Sequence, residues 1–297
     1  MIENGNYDIV HCHTPNASVI TRLVCRKFRK KSGLKVFYTA HGFHFYKGAP
    51  KLNWMVYYPI EKFCSRYTDK LITINKEDYE LAKTKFKAKE VRYVPGVGID
   101  LSRFENLQVD REAKRREMGV PDDAFLLLSV GELNENKNHQ IIIRALAKLN
   151  NPKVHYAIAG VGDKKENLLT LANELGVSDQ LHLLGYRKDV VELYKSAEAF
   201  VFPSFREGLS VALMEAMACG LPVVCSKIRG NTDLIDEHGG VLFDPSFPEE
   251  CHKSILAILN CDCRTMGDYN KLWVKKYSVE SVLTEMKSIY DGVVGAV

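Results

Sequence analysis

Ten short runs rich in β-branched and aromatic residues recur along the chain, at 7–12, 35–40, 70–74, 91–94, 125–130, 154–159, 181–184, 199–202, 222–225 and 240–243. Segments of helical period lie between many of them, such as 139–149, 164–175, 189–196 and 210–219. This alternation confines the chain to α/β architecture, because parallel strands need crossover connections and the connecting helices cover the sheet. The apolar runs then read as buried strands. At 297 residues the chain is too long for one small core, and about 150 residues per domain gives two.

The stretch from Val94 to Asp100, with two glycines and a proline, interrupts the pattern ahead of a charged helix at 110–118. We expect domains at 1–104 and 105–277, followed by a last helix at 278–297. Val279, Val282, Leu283, Met286, Ile289 and Tyr290 repeat on one face of that helix, which requires a docking surface and suggests packing toward the first domain. The first domain counts only three strands before Asn75, where a doubly wound sheet has five or six. It reads as incomplete.

No apolar run reaches the eighteen or so residues of a spanning helix, and the opening residues lack the basic and apolar regions of a signal peptide. Eight cysteines, at 12, 25, 64, 219, 225, 251, 261 and 263, show no repeated spacing, which fits a reducing cytoplasm. A single C-x-C at Cys261 and Cys263 reads as two ordinary thiols rather than a metal pair. Charge is divided unevenly. Residues 1–103 carry 19 Lys and Arg against 9 Asp and Glu, and the remainder carries 22 against 28, so the first half suits an anionic surface or a phosphorylated substrate.

Chemistry concentrates at 200–225, read as a strand, a loop on Glu207-Gly208, a helix from Ser210 to Gly220, and Pro222 leading into the next strand. That junction lies at the carboxyl end of a parallel strand, where open α/β sheets bind ligands. Gly208 admits close approach of a phosphate, and the free N–H groups of the helix start attract its charge. Glu215 lies about 7.5 Å further along the axis, near the span from a diphosphate to its ribose.

The Glu-x7-Glu spacing of Glu207 and Glu215 resembles the signature of retaining nucleotide-sugar glycosyltransferases of family 4, which have the GT-B fold. Further motifs fall in family order: Val130-Gly-Glu-Leu-Asn-Glu-Asn-Lys137, Ile158-Ala-Gly-Val-Gly162, Leu184-Gly-Tyr-Arg-Lys-Asp189 and Gly230-Asn-Thr-Asp233. The resemblance is closest to bacterial capsular and exopolysaccharide enzymes. It implies two Rossmann-like parallel-sheet domains facing a cleft. Lys137 would pair with the donor diphosphate beside Gly131, the backbone N–H groups of Gly208 and Leu209 would bind the same phosphates, and Ser210 would also contact the substrate. Tyr186 and Arg187 would border the base, Glu207 the sugar and Glu215 the ribose. His13 would lie beside the transferred sugar, with His41 and Gly42 on the acceptor side. The implied donor is a UDP-sugar before a GDP-sugar, the implied acceptor a lipid-linked saccharide. No metal or other cofactor is implied, and no nucleic acid.

The family usually has Arg directly after the loop glycine, where this chain has Glu132. Opposite charges at about 4 Å are worth on the order of 4 kcal/mol at an effective dielectric of 20, so the exchange is not neutral, and Lys137, Arg206 or Arg229 must compensate. The stretch from Arg22 to Lys35 holds seven basic residues and no acid, read as a solvated face or as a peripheral contact with the inner leaflet of the plasma membrane. Against the family the chain is short by roughly seventy to ninety residues at its start, including a loop facing the donor phosphates, so a partner subunit supplying them is one expectation. Two rival readings stand beside the transferase: a GT-B nucleotide-sugar epimerase, and a truncated chain that binds a nucleotide sugar without transferring it.

Overall fold

The computed structural model describes residues 5, 7–105 and 107–294; most of the opening segment searched for a signal peptide lies outside them. The chain forms two compact units, one of 1–98 with 279–297, the other of 99–278. The division follows Gly98, ahead of the expected 104. Ile99 already belongs to the second unit, where its N–H donates to the Tyr277 carbonyl at 3.0 Å.

The second unit is a six-stranded sheet of β5 (Phe125–Val130), β6 (Val154–Ala159), β7 (Leu181–Gly185), β8 (Ala199–Phe202), β9 (Val223–Ser226) and β10 (Gly240–Phe243). Their order is β10-β9-β8-β5-β6-β7, and every pairing is parallel. The middle of β5, Leu126-Leu127-Leu128, is fully buried, as a central strand covered on both faces must be. The helix Gln140–Leu149 buries Ile141, Ile142, Ile143, Ala145 and Leu146, and packs with Pro248–Leu259 through Cys251, Ile255 and Ile258. The helix Arg111–Met118 begins at Asp110, whose carboxylate accepts the Ala113 N–H, and ends at Gly119 with φ +73°.

The first unit has four parallel strands among the described residues, β1 (Ile9–Cys12), β2 (Lys35–Ala40), β3 (Lys70–Thr73) and β4 (Glu90–Tyr93), in sequential order. Alternate residues serve opposite faces. Tyr38, Ala40 and Leu71 pack with Trp54 and Tyr58 of the helix Lys51–Ser65, and Phe37 and Ile72 pack with Val282 and Ile289 of the helix Val279–Val294. Lys70 Nζ donates to the Ile289 carbonyl at 2.6 Å. Leu283, expected on the buried face, is exposed, because the contact stripe runs through Val282, Met286, Ile289 and Tyr290.

The basic stretch is not one solvated face. Arg22 is fully buried, 2.9 Å from Glu61 and stacked on the Tyr38 ring. Arg29 meets the Asp69 carboxylate at 2.7 and 2.8 Å. Both sit on the inward sides of their helices. Arg26, Lys27, Lys30 and Lys31 remain exposed.

Candidate functional site

In the second unit the chain winds from β5 outward through β6 and β7, then returns to the other side of β5 for β8, β9 and β10. The loops leaving β5 and β8 therefore diverge around a crevice at their carboxyl ends, the place where such sheets admit ligands. Both loops carry the residues singled out by sequence.

The loop after β5 is pressed onto the end of β6. Gly131 N–H donates to Ala159 O and Leu133 N–H to Val161 O, each at 3.0 Å. A Cβ at Gly160 would lie 1.8 Å from the Gly131 oxygen, and one at Gly162 would lie 2.3 Å from the Leu133 oxygen. The Gly-x-Gly of this segment thus serves backbone packing. His139 closes the loop: its Nε2–H donates to the Glu132 carbonyl at 3.2 Å and its Nδ1 accepts from the Tyr156 hydroxyl at 2.7 Å. Burial lowers the His139 pKa to about 4, so the ring is held neutral. The Glu132 side chain is exposed and accepts from Asn134 Nδ2 at 2.8 Å.

Lys137 ends a 3-10 turn, Glu135–Lys137, capped by Asn134. Asn138 follows at φ +52°, and its buried amide donates to the carbonyls of Pro203 and Pro245. Asn136 takes the Phe205 N–H on its carbonyl at 2.8 Å and donates Nδ2 to Arg206 O at 2.9 Å. These contacts lock the two loops together. Lys137 Nζ then reaches Glu207 Oε1 at 2.7 Å and the Phe202 ring centroid at 4.7 Å, with its chain over Gly131. Side-chain exposures of 19% and 14% remove most of the water that weakens surface pairs. An ammonium has three N–H donors, so Lys137 can hold Glu207 and further anionic oxygens together.

Past Glu207, the amides of Gly208 and Leu209 have no protein acceptor among the described residues. The helix Val211–Ala218 follows, with Ser210 as its cap; Ser210 Oγ accepts the Leu213 N–H at 3.4 Å. That hydroxyl is thereby engaged by the helix. Gly230, at φ +84°, lies so close beneath this loop that a Cβ there would stand 1.6 Å from the Gly208 oxygen. Glu215 is half-buried on the same helix, with the Tyr194 hydroxyl at 3.4 Å and Arg103 at 3.7 Å. Burial raises its pKa, against the opposing pull of Arg103.

Tyr186, after β7, is 72% exposed. Arg187 is turned into carboxylates: Nε donates to Asp189 at 2.7 Å and Nη2 to Glu117 at 2.5 Å. In the first unit His11, His13 and His41 gather at the ends of β1 and β2. His13 Nδ1 lies 3.3 Å from His41 Nε2, and the His11 and His13 ring centroids are 4.3 Å apart. His11 is flanked by Tyr290 OH at 2.5 Å and Thr39 Oγ1 at 2.8 Å. Its pKa falls to about 4, through burial and then the neighbouring His13 and His41. His13 and His41 are exposed, and Gly42 follows at φ +142°.

Two features escaped sequence reasoning, the direct Lys137–Glu207 pair and the clamp by Asn136 and Asn138. A readable signal existed for the second, since Asn is among the few side chains at home in the left-handed region.

Residues 110–273 match the family Glycosyl transferases group 1, and residues 1–103 match Glycosyltransferase Family 4. The putative glycosyltransferase EpsD of Bacillus subtilis is 37% identical over 98% of this chain and 78% of its own length. The UDP-Gal:alpha-D-GlcNAc-diphosphoundecaprenol alpha-1,3-galactosyltransferase of Escherichia coli is 27% identical over 98% and 76%. Among solved structures, Anabaena Alr3699/HepE in complex with UDP superposes with a TM-score of 0.83 at 19% identity, covering 96% of this chain and 79% of that one. The fold is GT-B, and the chain belongs to the glycosyltransferases of group 1 and family 4.

Proposed function

We propose that this family 4 glycosyltransferase moves a sugar from a UDP-sugar to a lipid-linked saccharide with retention of anomeric configuration, in the building of a capsular or exopolysaccharide. The observation that carries the reading is the convergence of Lys137, Glu207 and the unpaired Gly208 and Leu209 amides where the strand order reverses. The Escherichia coli relative, named for a UDP-Gal donor and a diphosphoundecaprenol-linked acceptor, supports the substrate classes.

In this reading Lys137 and the start of the helix Val211–Ala218 neutralise charge growing on the departing diphosphate, in a site already dry enough to strengthen that interaction. The bond from the anomeric carbon to the phosphate oxygen breaks, the bond to the acceptor oxygen forms on the same face, and the acceptor proton passes to the leaving phosphate. No carboxylate nucleophile takes part. Glu207 fixes the sugar hydroxyls and Glu215 the ribose, with Tyr186 beside the base; His13 is assigned to the sugar, and His41 and Gly42 to the acceptor. No metal is assigned a role. We place the enzyme in the cytoplasm, at the inner face of an anionic membrane.

Incubation with UDP-sugar and a lipid-linked acceptor, with the anomeric configuration of the product read by NMR, tests the proposal. Glu207→Gln should slow transfer through lost positioning and leave no sugar on the protein. An inverted product, or a glycosyl-enzyme adduct seen by mass spectrometry, overturns the mechanism.

A further inference from the structure

The cysteines differ in what can reach them. Cys12, Cys25, Cys64, Cys225 and Cys251 are buried, whereas Cys219, Cys261 and Cys263 keep partial contact with solvent. Two of those three form a pair. Cys261 lies in the turn after the helix Pro248–Leu259, Cys263 opens the helix Cys263–Trp273, and their sulfurs stand 3.4 Å apart. Side chains two residues apart do not face each other on a helix, so the contact depends on the bend between the two helices. Asp262 fixes that bend. Its Oδ1 accepts the Arg264 and Thr265 N–H groups at 3.1 and 3.2 Å, and its Oδ2 accepts the Thr265 hydroxyl at 2.7 Å.

The protons on the pair are also placed. The Cys263 thiol donates to the Ile258 carbonyl at 3.6 Å and has the Cys261 sulfur within reach. Burial, and then the hydrogen bond to Cys261, pushes the Cys263 thiol up to about 12. Cys263 thus stays a protonated neighbour, able to donate toward a thiolate on Cys261 and later to surrender that proton.

We infer that Cys261 and Cys263 are an oxidation site, a dithiol that a peroxide closes to a disulfide across the turn. The Cys261 thiolate attacks a peroxide oxygen, the O–O bond breaks, and sulfenic acid forms as hydroxide departs. The Cys263 sulfur then attacks the Cys261 sulfur, the S–O bond breaks, and the Cys263 proton leaves with the hydroxyl as water. Two thiols lose two electrons and two protons, and one peroxide becomes two waters. The sulfurs have to close from 3.4 Å to about 2.05 Å within a turn of three residues, and a disulfide under such strain is readily reduced again by a cellular thiol. The site belongs to the β9 and β10 half of the second unit, since the same helix donates Asn270 Nδ2 to the carbonyls of Leu221 and Gly239 at 2.7 and 2.8 Å. Neither donor nor acceptor takes part, so the inference stands or falls apart from the transfer reaction.

The test treats the folded full chain with hydrogen peroxide near stoichiometry, alkylates the remaining thiols after denaturation, and reads a tryptic digest by mass spectrometry. Residues 254–264 form one peptide that holds Cys261 and Cys263 and no other cysteine. We expect it to lose about 2 Da and escape alkylation, about tenfold faster than Cys219 or any buried cysteine is oxidised, and to regain both thiols with dithiothreitol. Cys263→Ser should stop at a sulfenic acid on Cys261 that dimedone captures, and Cys261→Ser should leave Cys263 unreacted. Alkylation of both sulfurs after peroxide, or oxidation of Cys219 ahead of the pair, overturns the inference. So does a disulfide between two molecules in place of one within the peptide.

Discussion

Replacing Lys137 with Met removes the ammonium and keeps most of the apolar stem over Gly131 and Phe202. Two consequences are separable. The first falls on the protein alone, because Glu207, only 14% exposed, loses the cation 2.7 Å from its Oε1. Breaking a fully buried pair costs about 3–5 kcal/mol, and the residual exposure of both partners scales this to roughly 1–3 kcal/mol of stability. The second falls on the donor. One charge-assisted hydrogen bond to a phosphate is worth about 1.5–3 kcal/mol, which is about 10- to 150-fold in the dissociation constant for UDP. Calorimetric titration with UDP and a urea melt, each run on Lys137→Met, Glu207→Gln and the double variant, distinguish the roles. If Lys137 serves the diphosphate, adding Glu207→Gln restores stability and leaves UDP binding weak. Unchanged UDP affinity in Lys137→Met, or its full recovery in the double variant, would refute the assignment and leave Lys137 as a structural partner of Glu207.

Gly230→Ala combines a left-handed backbone with a Cβ 1.6 Å from the Gly208 oxygen, so the loop must move; we expect at least tenfold weaker UDP binding by calorimetry alongside about 1–3 kcal/mol lost in the melt. Stability in acid carries a signature of His139. Its folded pKa is about 4 against an ordinary 6.5, so the unfolded chain takes up the proton first, and stability present above pH 6.5 declines as pH falls toward 4. His139→Gln should flatten that limb by up to about 3 kcal/mol in urea melts across the range, and an unaltered slope would place the loss elsewhere.

The strands were readable because a central parallel strand must be apolar on both faces, and 125–130 or 199–202 have no other reading. The loop at Glu207-Gly208 was readable because a helix start after a strand fixes where N–H groups point. Orientation around a helix was less accessible. Arg22 and Glu61 look like surface charges in sequence, and only the fold reveals that they close on each other while Ile20 and Met55 turn outward. Leu283 failed for a related reason: it lies beside the stripe of Val282, Met286, Ile289 and Tyr290 that packs on the sheet, and is left exposed. The Lys137–Glu207 contact joins residues in loops that follow different strands, and no local rule gives that distance.

The interleaving of the two units has a consequence for synthesis. The strands of the first unit emerge from the ribosome before the second unit, yet the helix that covers Phe37 and Ile72 is made only after it. At about 5–20 residues per second, residues 99–278 keep that sheet face waiting for roughly 10–35 s. The second unit has no such delay, since Ile99 and Ser278 pair directly and its ends close on each other. Nascent chains therefore present a folded second unit beside an uncovered apolar sheet, a natural client for chaperones. Truncation within 279–294 would harm a sheet translated roughly 180 residues before it.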